Sequence, residues 1–518
     1  MTMSIDPYRS EPLTDFSNEA NRRLMEEALQ SVKRQLGQQY SLLIDGVHQS
    51  TPDEIVSINP GNPDQVVGRV AKATKEHIDQ ALKAAWEAFR AWKRVPGPTR
   101  ARYLYKAAAI MRRRKFELSA WEVYEAGKTW GEADGDVAEA IDFLEYYARQ
   151  MERLSHPVPT TPLPGEEDVA FYVPLGVGAI IPPWNFPLAI LTGMSSSAIV
   201  AGNPILLKPA SPTPVIAAKF VEIMEEAGLP AGVLNFVPGD GGVIGDHLVT
   251  HPLTRFISFT GSREVGLRIN RLAADPENGQ RWIKRVVAEM GGKDAILVDE
   301  TADLESAAQG IVQSAFGFQG QKCSACSRAI IVDSVYDKVL NRVLELTREL
   351  KLGPAEDFKN HMGPVIDQKA FKKIQSYIDW GREHAKLVAG GNAPHDKGYF
   401  LEPTIFSEVA PGSKLEQEEI FGPVLSFVRA RDFDHALEIA NDTEYGLTGS
   451  IYSKNRGRIE QAREEFEVGN LYINRKCTGA VVGAHPFGGF NMSGTDSKTG
   501  SPDYLLLFMQ MKAVAEKF

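Results

Sequence analysis

Gly176-Val-Gly-Ala-Ile-Ile181-Pro-Pro-Trp-Asn-Phe-Pro187 opens the stretch that decides the fold. The apolar run 176–181 has the length of a strand and ends at a proline-rich turn, and residues 188–200 then read as a buried helix. The alternation continues with a strand at 205–208, a helix at 215–227, a strand at 233–237, a helix begun near Gly241 that contains His247, and a strand at 256–260. Repeated βα units of this kind fold as a parallel, doubly wound sheet that binds ligands at the carboxyl ends of its strands. Residues 169–207 carry no charged side chain, and such a run exceeds the roughly 20 residues a membrane helix needs. Pro174, Pro182, Pro183, Pro187 and Pro204 cut it into pieces too short to cross as helix. Buried strands and a helix account for it, and no membrane partner is expected.

On the N-terminal side, residues 16–36 read as an amphipathic helix, with Leu24, Leu29, Val32 and Leu36 at near-helical spacing. Short strands follow at 42–45 and 54–59, then the turn Asn59-Pro60-Gly61-Asn62-Pro63 and helices at 76–92, 98–114 and 133–153. The basic run Arg112-Arg113-Arg114-Lys115 reads as a solvated helix face, and the proline-rich residues 155–167 as a crossover or hairpin arm. On the C-terminal side, strands at 281–288 and 295–298 precede a second round of alternation through 329–332, 339–351, 385–390, 424–429, 435–440 and 471–474. Two α/β domains with a boundary close to Glu289 follow from this pattern.

The chain of 518 residues is 43% hydrophobic and 24% charged, with a net charge of −10 and no long basic run. Nucleic acid and anionic membrane surfaces are therefore poor partners. Residues 1–10 lack the apolar core of a signal peptide, and three cysteines, an odd number, argue for a reducing compartment and a cytoplasmic protein.

Two of those cysteines lie in Gly317-Phe-Gln-Gly-Gln-Lys-Cys-Ser-Ala-Cys-Ser-Arg328, between a helix at 308–316 and the strand at 329–332. A free thiol has a pKa of about 8.5 and must ionise to attack carbon; Lys322 and the loop N–H groups are expected to favour the anion. Cys323 is thus a candidate nucleophile, although a buried inert Cys or a disulfide-forming Cys-x-x-Cys pair stays open on these residues alone. Three cysteines exclude a four-thiolate zinc site and no His lies near with ligand spacing, so no metal is expected. Asn185, after a strand and before a helix, is placed to donate to an oxyanion. Glu289 directly follows an apolar strand, and on these residues two readings stay open: a carboxylate of a surface loop, or a buried one with a raised pKa that acts as general base. The double glycine after it favours close approach of another segment or a ligand. Gly176-Val-Gly178 begins like a dinucleotide fingerprint, but Ile181 stands where the third glycine belongs. Phe259-Thr-Gly-Ser-Arg-Glu-Val-Gly266 is the better site for a pyrophosphate, because it leads from a strand into a helix N-terminus. Lys208 ends the neighbouring strand within reach of ribose or phosphate.

Taken together, Pro183-Trp-Asn185, Lys208-Pro-Ala210, Phe259-Thr-Gly-Ser262, Glu289-Met-Gly-Gly-Lys293, Gly320-Gln-Lys-Cys323, Glu419-Ile-Phe-Gly-Pro423 and Pro486-Phe-Gly-Gly489 resemble, in order, the motif set of the aldehyde dehydrogenases. The resemblance runs from about Leu42 to the C-terminus. It implies an α/β fold with a Rossmann-type NAD-binding domain (residues 1–154 and 173–288), an oligomerisation arm at 155–172, a catalytic domain at 289–485 and a C-terminal segment at 486–518 whose strand joins the arm in a homo-oligomer. It also implies that Cys323 thiolate attacks an aldehyde, that Asn185 and the Cys323 N–H hold the oxyanion, and that Glu289 activates the water that releases a thioester. Pro183, Trp184, Lys208, Ser211, Gly261, Ser262, Gly266, Glu419 and Phe421 then line the cofactor site. The family often carries Glu where Ser211 stands, and Ser leaves room for a 2′-phosphate, so NAD is expected and NADP is possible.

The Cys323–Arg328 and Asn474–Gly483 segments look like the branch of this family that oxidises L-glutamate γ-semialdehyde to glutamate in proline breakdown. In that branch Ser324 and the N–H groups of Gly479 and Ala480 anchor the substrate carboxylate, and Phe186 and Phe487 pack its aliphatic stem. A dehydrogenase for another small acidic semialdehyde is the nearest alternative. A thiol hydrolase would need a His base, and a silent protein of this fold would not bind cofactor.

Overall fold

The computed structural model describes residues 7–518; residues 1–6 of the N-terminal stretch read above lie outside the described residues. Two seven-stranded sheets organise the chain. In the first, Arg285–Glu289, Phe256–Thr260, Gly178–Ile181, Ile205–Leu207 and Leu234–Phe236 lie side by side and parallel, and the antiparallel pair Leu42–Ile44 and Val47–Gln49 completes the edge. Helices Ala189–Val200 and Pro214–Glu226 connect successive parallel strands and cover their faces. The helix Ala189–Val200 is buried along almost its whole length, Ser195, Ser196 and Ser197 included, which explains its charge-free sequence.

The second sheet runs Lys386–Ala389, Thr404–Ser407, Val424–Ala430, Arg328–Val332, Ala295–Val298, Thr448–Tyr452 and Asn470–Ile473, parallel throughout except at its first strand. Its central strands, Ala295–Val298 and residues 329–332, read as unbroken apolar runs, as a sheet covered on both faces requires. The chain passes from the first sheet to the second between Glu289 and Ala295. Outside both sheets, Glu166–Pro174 and Met509–Lys517 pair antiparallel in a two-stranded ribbon. Along it Met511, Val514 and Phe518 are exposed.

Several expectations need correction. The strand expected at 281–288 is confined to Arg285–Glu289, because Trp282 turns aside to stack on Trp86 and Lys284 caps the carbonyls of Val249 and Thr250. The basic run is solvated only in part: Lys115 is buried and its ammonium lies 3.0 Å from Asp134. The helix expected at 98–114 ends at Arg113, and a further helix, Lys115–Ala126, follows without having been foreseen. Every side chain of its last nine residues is buried, Glu122 and Glu125 among them, so it shows no amphipathic period. The helix Gln368–His384 and the strand Thr448–Tyr452 were likewise not anticipated. No described helix is long and apolar enough to cross a membrane.

Candidate active site

The parallel register of the first sheet puts the carboxyl ends of four neighbouring strands on one edge: Ile181, Leu207, Thr260 and Glu289. The chain segments that leave those ends carry Asn185, Lys208, Gly261 and Glu289 itself, so residues far apart in sequence share one crevice.

Glu289 is buried, and its carboxylate accepts from Ser497 Oγ at 2.5 Å, Gly489 N at 3.3 Å and Ser497 N at 3.4 Å. Burial raises its pKa to about 7, and these donors limit the rise. Pro486-Phe-Gly-Gly489 is thus the wall that holds Glu289: a Cβ on Gly488 would lie 3.1 Å from its Oε1. The glycines after Met290 have equally specific neighbours. A Cβ on Gly291 would stand 2.2 Å from Glu419 Oε1, and one on Gly292 would stand 2.6 Å from the Cys323 carbonyl. The close approach expected at this pair is made by the segments carrying Glu419 and Cys323.

The nucleophile loop is held in an unusual backbone shape. Phe318, Gln319 and Gly320 have φ of 48°, 55° and 66°, and two non-glycine residues in the left-handed region cost about 1–3 kcal/mol each. Side chains from elsewhere enforce it. Gln319 Nε2 donates to Pro364 O at 2.6 Å and Gly127 O at 3.3 Å, and Ile366 N donates to Gln321 Oε1 at 2.9 Å. Asn185 Nδ2 donates to Gln321 O at 3.0 Å, which leaves one amide N–H free and fixes the side chain against the Cys323 loop. Among the described residues the Cys323 N–H joins no backbone hydrogen bond.

Lys322 does not play the expected part. Its ammonium pairs with Glu132 at 2.8 Å. The thiol of Cys323 is pushed up by burial first, then by Asp294, Glu419 and Glu289; the Ser324 N–H opposes the shift. Asp294 is itself raised to about 8 by burial.

On the cofactor side, Lys208 is buried with only its neighbour's carbonyl, Pro209 O, at 3.4 Å, and burial lowers its pKa to about 8. Glu419 is half-buried with a single donor, Gly292 N at 3.2 Å, and loss of solvent raises its pKa. Two under-partnered groups of opposite charge suit ribose hydroxyls. Ser262 caps the helix Arg263–Ala274 by accepting from Val265 N, and Gly261 N donates to Glu289 O at 3.0 Å. Gly266 has a packing reason as well: a Cβ there would lie 2.5 Å from Met290 Sδ. Ser211 is half-buried near Lys208 in the chain, and no carboxylate occupies its position. Half-buried Pro183 and Trp184 follow the Ile181 strand end, and the Trp184 ring meets Phe421 edge-on at 5.5 Å. Phe421 takes a φ of 61°.

The turn at residues 478–480 lies against the same loop. Cys477 Sγ donates to Ser324 O at 3.4 Å, two residues before Gly479. Arg475 donates to the carbonyls of Thr478 at 3.0 Å and Gly479 at 2.9 Å, and among the described residues the N–H groups of Gly479 and Ala480 join no backbone bond. Gly479 has a φ of 78°, a conformation suited to glycine. Phe186 lies beside Phe318 at 6.5 Å, while Phe487 is half-buried and its backbone pairs with Thr499. Cys323, Cys326 and Cys477 are all free, and Cys326 and Cys477 share one apolar cluster.

Sequence reasoning missed the floor of this site. Lys128, Glu132 and Asp136, at the start of the helix Trp130–Leu154 and just before it, reach the nucleophile loop and the Asn185 segment. Their only signal in the sequence was a Lys with acidic residues at helical spacing, the ordinary mark of a solvated face. One other cluster of ionisable groups, Asp79, His247 and His251, lies within 4.8 Å of mutual contact but away from this crevice. Leu253 N donates to His251 Nδ1 at 3.1 Å, so its Nε2 carries the proton toward Asp79, which suits a hydrogen bond better than a metal ligand.

The family model described as the aldehyde dehydrogenase family matches residues 47–514. A 1-pyrroline-5-carboxylate dehydrogenase of Geobacillus sp. (strain WCH70) is 61% identical over 514 residues, covering 99% of this chain and 100% of the relative. That of Geobacillus kaustophilus is similar to the same degree, 61% over 514 residues with the same coverage. Among solved structures, a 1-pyrroline-5-carboxylate dehydrogenase from Thermus with bound NAD superposes with a TM-score of 0.98 at 54% identity, covering 100% of both chains. Proline utilization A from Bdellovibrio bacteriovorus matches with a TM-score of 0.97 at 46% identity, covering 99% of this chain and 53% of that one. The chain, with its crevice of Cys, Glu and Asn at the edge of a parallel sheet, belongs to the aldehyde dehydrogenase family.

Proposed function

We infer that this chain oxidises L-glutamate γ-semialdehyde, the open form of 1-pyrroline-5-carboxylate, to L-glutamate, with NAD as acceptor. The observation that carries the reading is the contact of Cys477 with Ser324. It joins the loop bearing a free thiol to a turn with unengaged N–H groups at Gly479 and Ala480. A substrate with an aldehyde at one end and a carboxylate at the other matches such a pair, because paired backbone donors make an anion nest. The names and high identity of the relatives from Geobacillus support glutamate semialdehyde over other acidic semialdehydes.

In this reading Cys323 Sγ adds to the aldehyde carbon after its proton passes to water. Glu289 is the base of the later hydrolytic step, since burial raises its pKa to about 7. The second N–H of Asn185 Nδ2 and the Cys323 N–H receive the oxyanion, and donors of this kind are worth about 3–4 kcal/mol each in the transition state. NAD, when bound, supplies the hydride acceptor and a positive charge. Lys208 and Glu419 would hold ribose hydroxyls, and the first turn of the helix Arg263–Ala274 the pyrophosphate. With hydride gone, the acyl group remains on Cys323, and Glu289 takes a proton from water as it attacks the thioester carbon. Glutamate leaves, and the thiol returns.

Ser211, in place of a carboxylate, also suits NADP as a poorer second cofactor. The free cysteines support a reducing compartment, the cytoplasm. The exposed ribbon of Glu166–Pro174 and Met509–Lys517, with open strand edges and exposed Met511 and Val514, suits pairing with another copy in a homo-oligomer. The test is reduced-nicotinamide formation by the purified protein with 1-pyrroline-5-carboxylate, succinate semialdehyde and propanal, each with NAD and NADP. The expected result is the highest kcat/KM with 1-pyrroline-5-carboxylate and NAD; a higher value with either other aldehyde would overturn the reading.

A further inference from the structure

We propose that Lys128 is a positioning residue that sets both halves of the oxyanion pocket, an inference that rests on the dehydrogenase reading above. Lys128 is fully buried in the floor of the crevice. Its ammonium sits 2.6 Å from Asp136 and 3.4 Å from Glu122, and it also faces two aromatic rings, Phe186 at 4.4 Å and Phe318 at 4.9 Å. Those rings belong to the two segments that must stay in register. Phe186 follows Asn185, whose amide donates to the oxyanion. Phe318 is the first of the left-handed residues that lead into Cys323, whose N–H is the other donor.

Each contact has a counterpart. Asp136 uses its second oxygen to accept from Ala189 N at 2.7 Å, at the head of the helix that follows Asn185 and Phe186. Lys128 thus grips the segment 185–189 twice, once through the Phe186 ring and once through Asp136. Phe318 and Phe186 touch edge-on at 6.5 Å, Trp184 touches Phe318 at 6.5 Å, and Trp184 touches Phe421 at 5.5 Å. One cation therefore anchors a wall of aromatic side chains that runs from the oxyanion donors to the residue beside the cofactor site. A cation prefers the face of an aromatic ring, and the preference is strongest where water is excluded. The charge is kept: burial works against it, but Asp136 and Glu122 outweigh burial and raise the Lys128 pKa. Burial and Asp136 push the Glu122 carboxyl well above the usual carboxylate range, and Lys128 opposes the shift.

The two donors act on the carbonyl oxygen of any aldehyde. Loss of their register should therefore lower kcat for all aldehydes and spare cofactor binding, which uses the other side of the crevice. The experiment compares Lys128→Met with wild type by steady-state kinetics on 1-pyrroline-5-carboxylate and propanal, with NAD affinity measured by calorimetry and folding by thermal melting. The expected result is a fall in kcat of about 100-fold on both aldehydes, the scale of a misplacement near 1 Å, with the NAD Kd within about twofold of wild type. Should Lys128→Met fail to fold because Asp136 loses its countercharge, Glu122→Gln/Lys128→Met/Asp136→Asn is measured instead. It removes all three charges and keeps an oxygen for Ala189 N–H. A folded variant with kcat near wild type overturns the proposal, as does parallel loss of NAD binding, which would mark Lys128 as a general structural residue. A wild-type protein that oxidises propanal but not glutamate semialdehyde counts against the proposed substrate alone, and the Lys128 comparison is then read on propanal.

Discussion

Glu289 and Cys323 stand at the seam between the two sheets, and their surroundings differ in kind. Glu289 ends the last strand of the first sheet inside a ring of donors from Ser497 and Gly489, which hold a buried carboxyl near 7. Cys323 lies before the strand Arg328–Val332 of the second sheet, facing Asp294, Glu419 and Glu289, with the Ser324 N–H opposing them. Burial thus brings the Glu289 carboxyl to titrate near neutral pH, whereas burial and the surrounding carboxylates push the Cys323 thiol up.

The comparison breaks most visibly at Glu289. Glu289→Gln should lower kcat about 1000-fold, with NAD affinity unchanged. The sign of the pH dependence follows from the raised pKa: the base acts when charged, so wild-type kcat rises as pH increases through about 7. That limb should vanish in Glu289→Gln, measured by steady-state rates from about pH 6 to pH 8. A limb that persists would assign the pH dependence to another group. Asn185→Ala comes next, with an expected loss of about 100- to 1000-fold in kcat; stopped-flow detection of reduced nicotinamide would place the loss before hydride transfer. A smaller effect belongs to the carboxylate anchor. Ser324→Ala should raise KM for glutamate semialdehyde roughly tenfold, the value of a lost hydrogen bond to a charged group, and leave KM for propanal alone. Equal changes on both would remove Ser324 from the anchor. The smallest effect is one of stability: Gly266→Ala drives a methyl into Met290 and should cost about 1–3 kcal/mol, seen as a lower Tm that Met290→Ala partly restores.

The sequence carried the βα alternation from 171 to 260 because those strands are short apolar runs closed by turn residues, a pattern that survives without tertiary knowledge. The seven motifs carried the family because each meets its neighbour in the crevice: Gly291 at Glu419, Gly292 at Cys323, Gly488 and Gly489 at Glu289. What stayed hidden is the buried charge. Lys115 read as part of a solvated face and Glu122, Glu125, Lys128 and Asp136 drew no reading at all, yet the structure places all five in the interior. Composition cannot tell a solvated Lys from one whose partners arrive by folding, and Lys128 gains its rings from residues 186 and 318. Lys322 misled for the same reason, since Glu132 that neutralises it lies far away in the chain. The strand Met509–Lys517 was legible only through the family resemblance, because its partner lies more than three hundred residues upstream.

The most direct test follows the sulfur itself. Glu289→Gln is mixed with NAD and 1-pyrroline-5-carboxylate, quenched in acid during turnover and digested, and the peptide containing Cys323 is weighed by mass spectrometry. The account predicts an acyl group of glutamate on Cys323 that accumulates in step with reduced nicotinamide and is absent from Cys326 and Cys477. Stoichiometric nicotinamide reduction with Cys323 unmodified would contradict it.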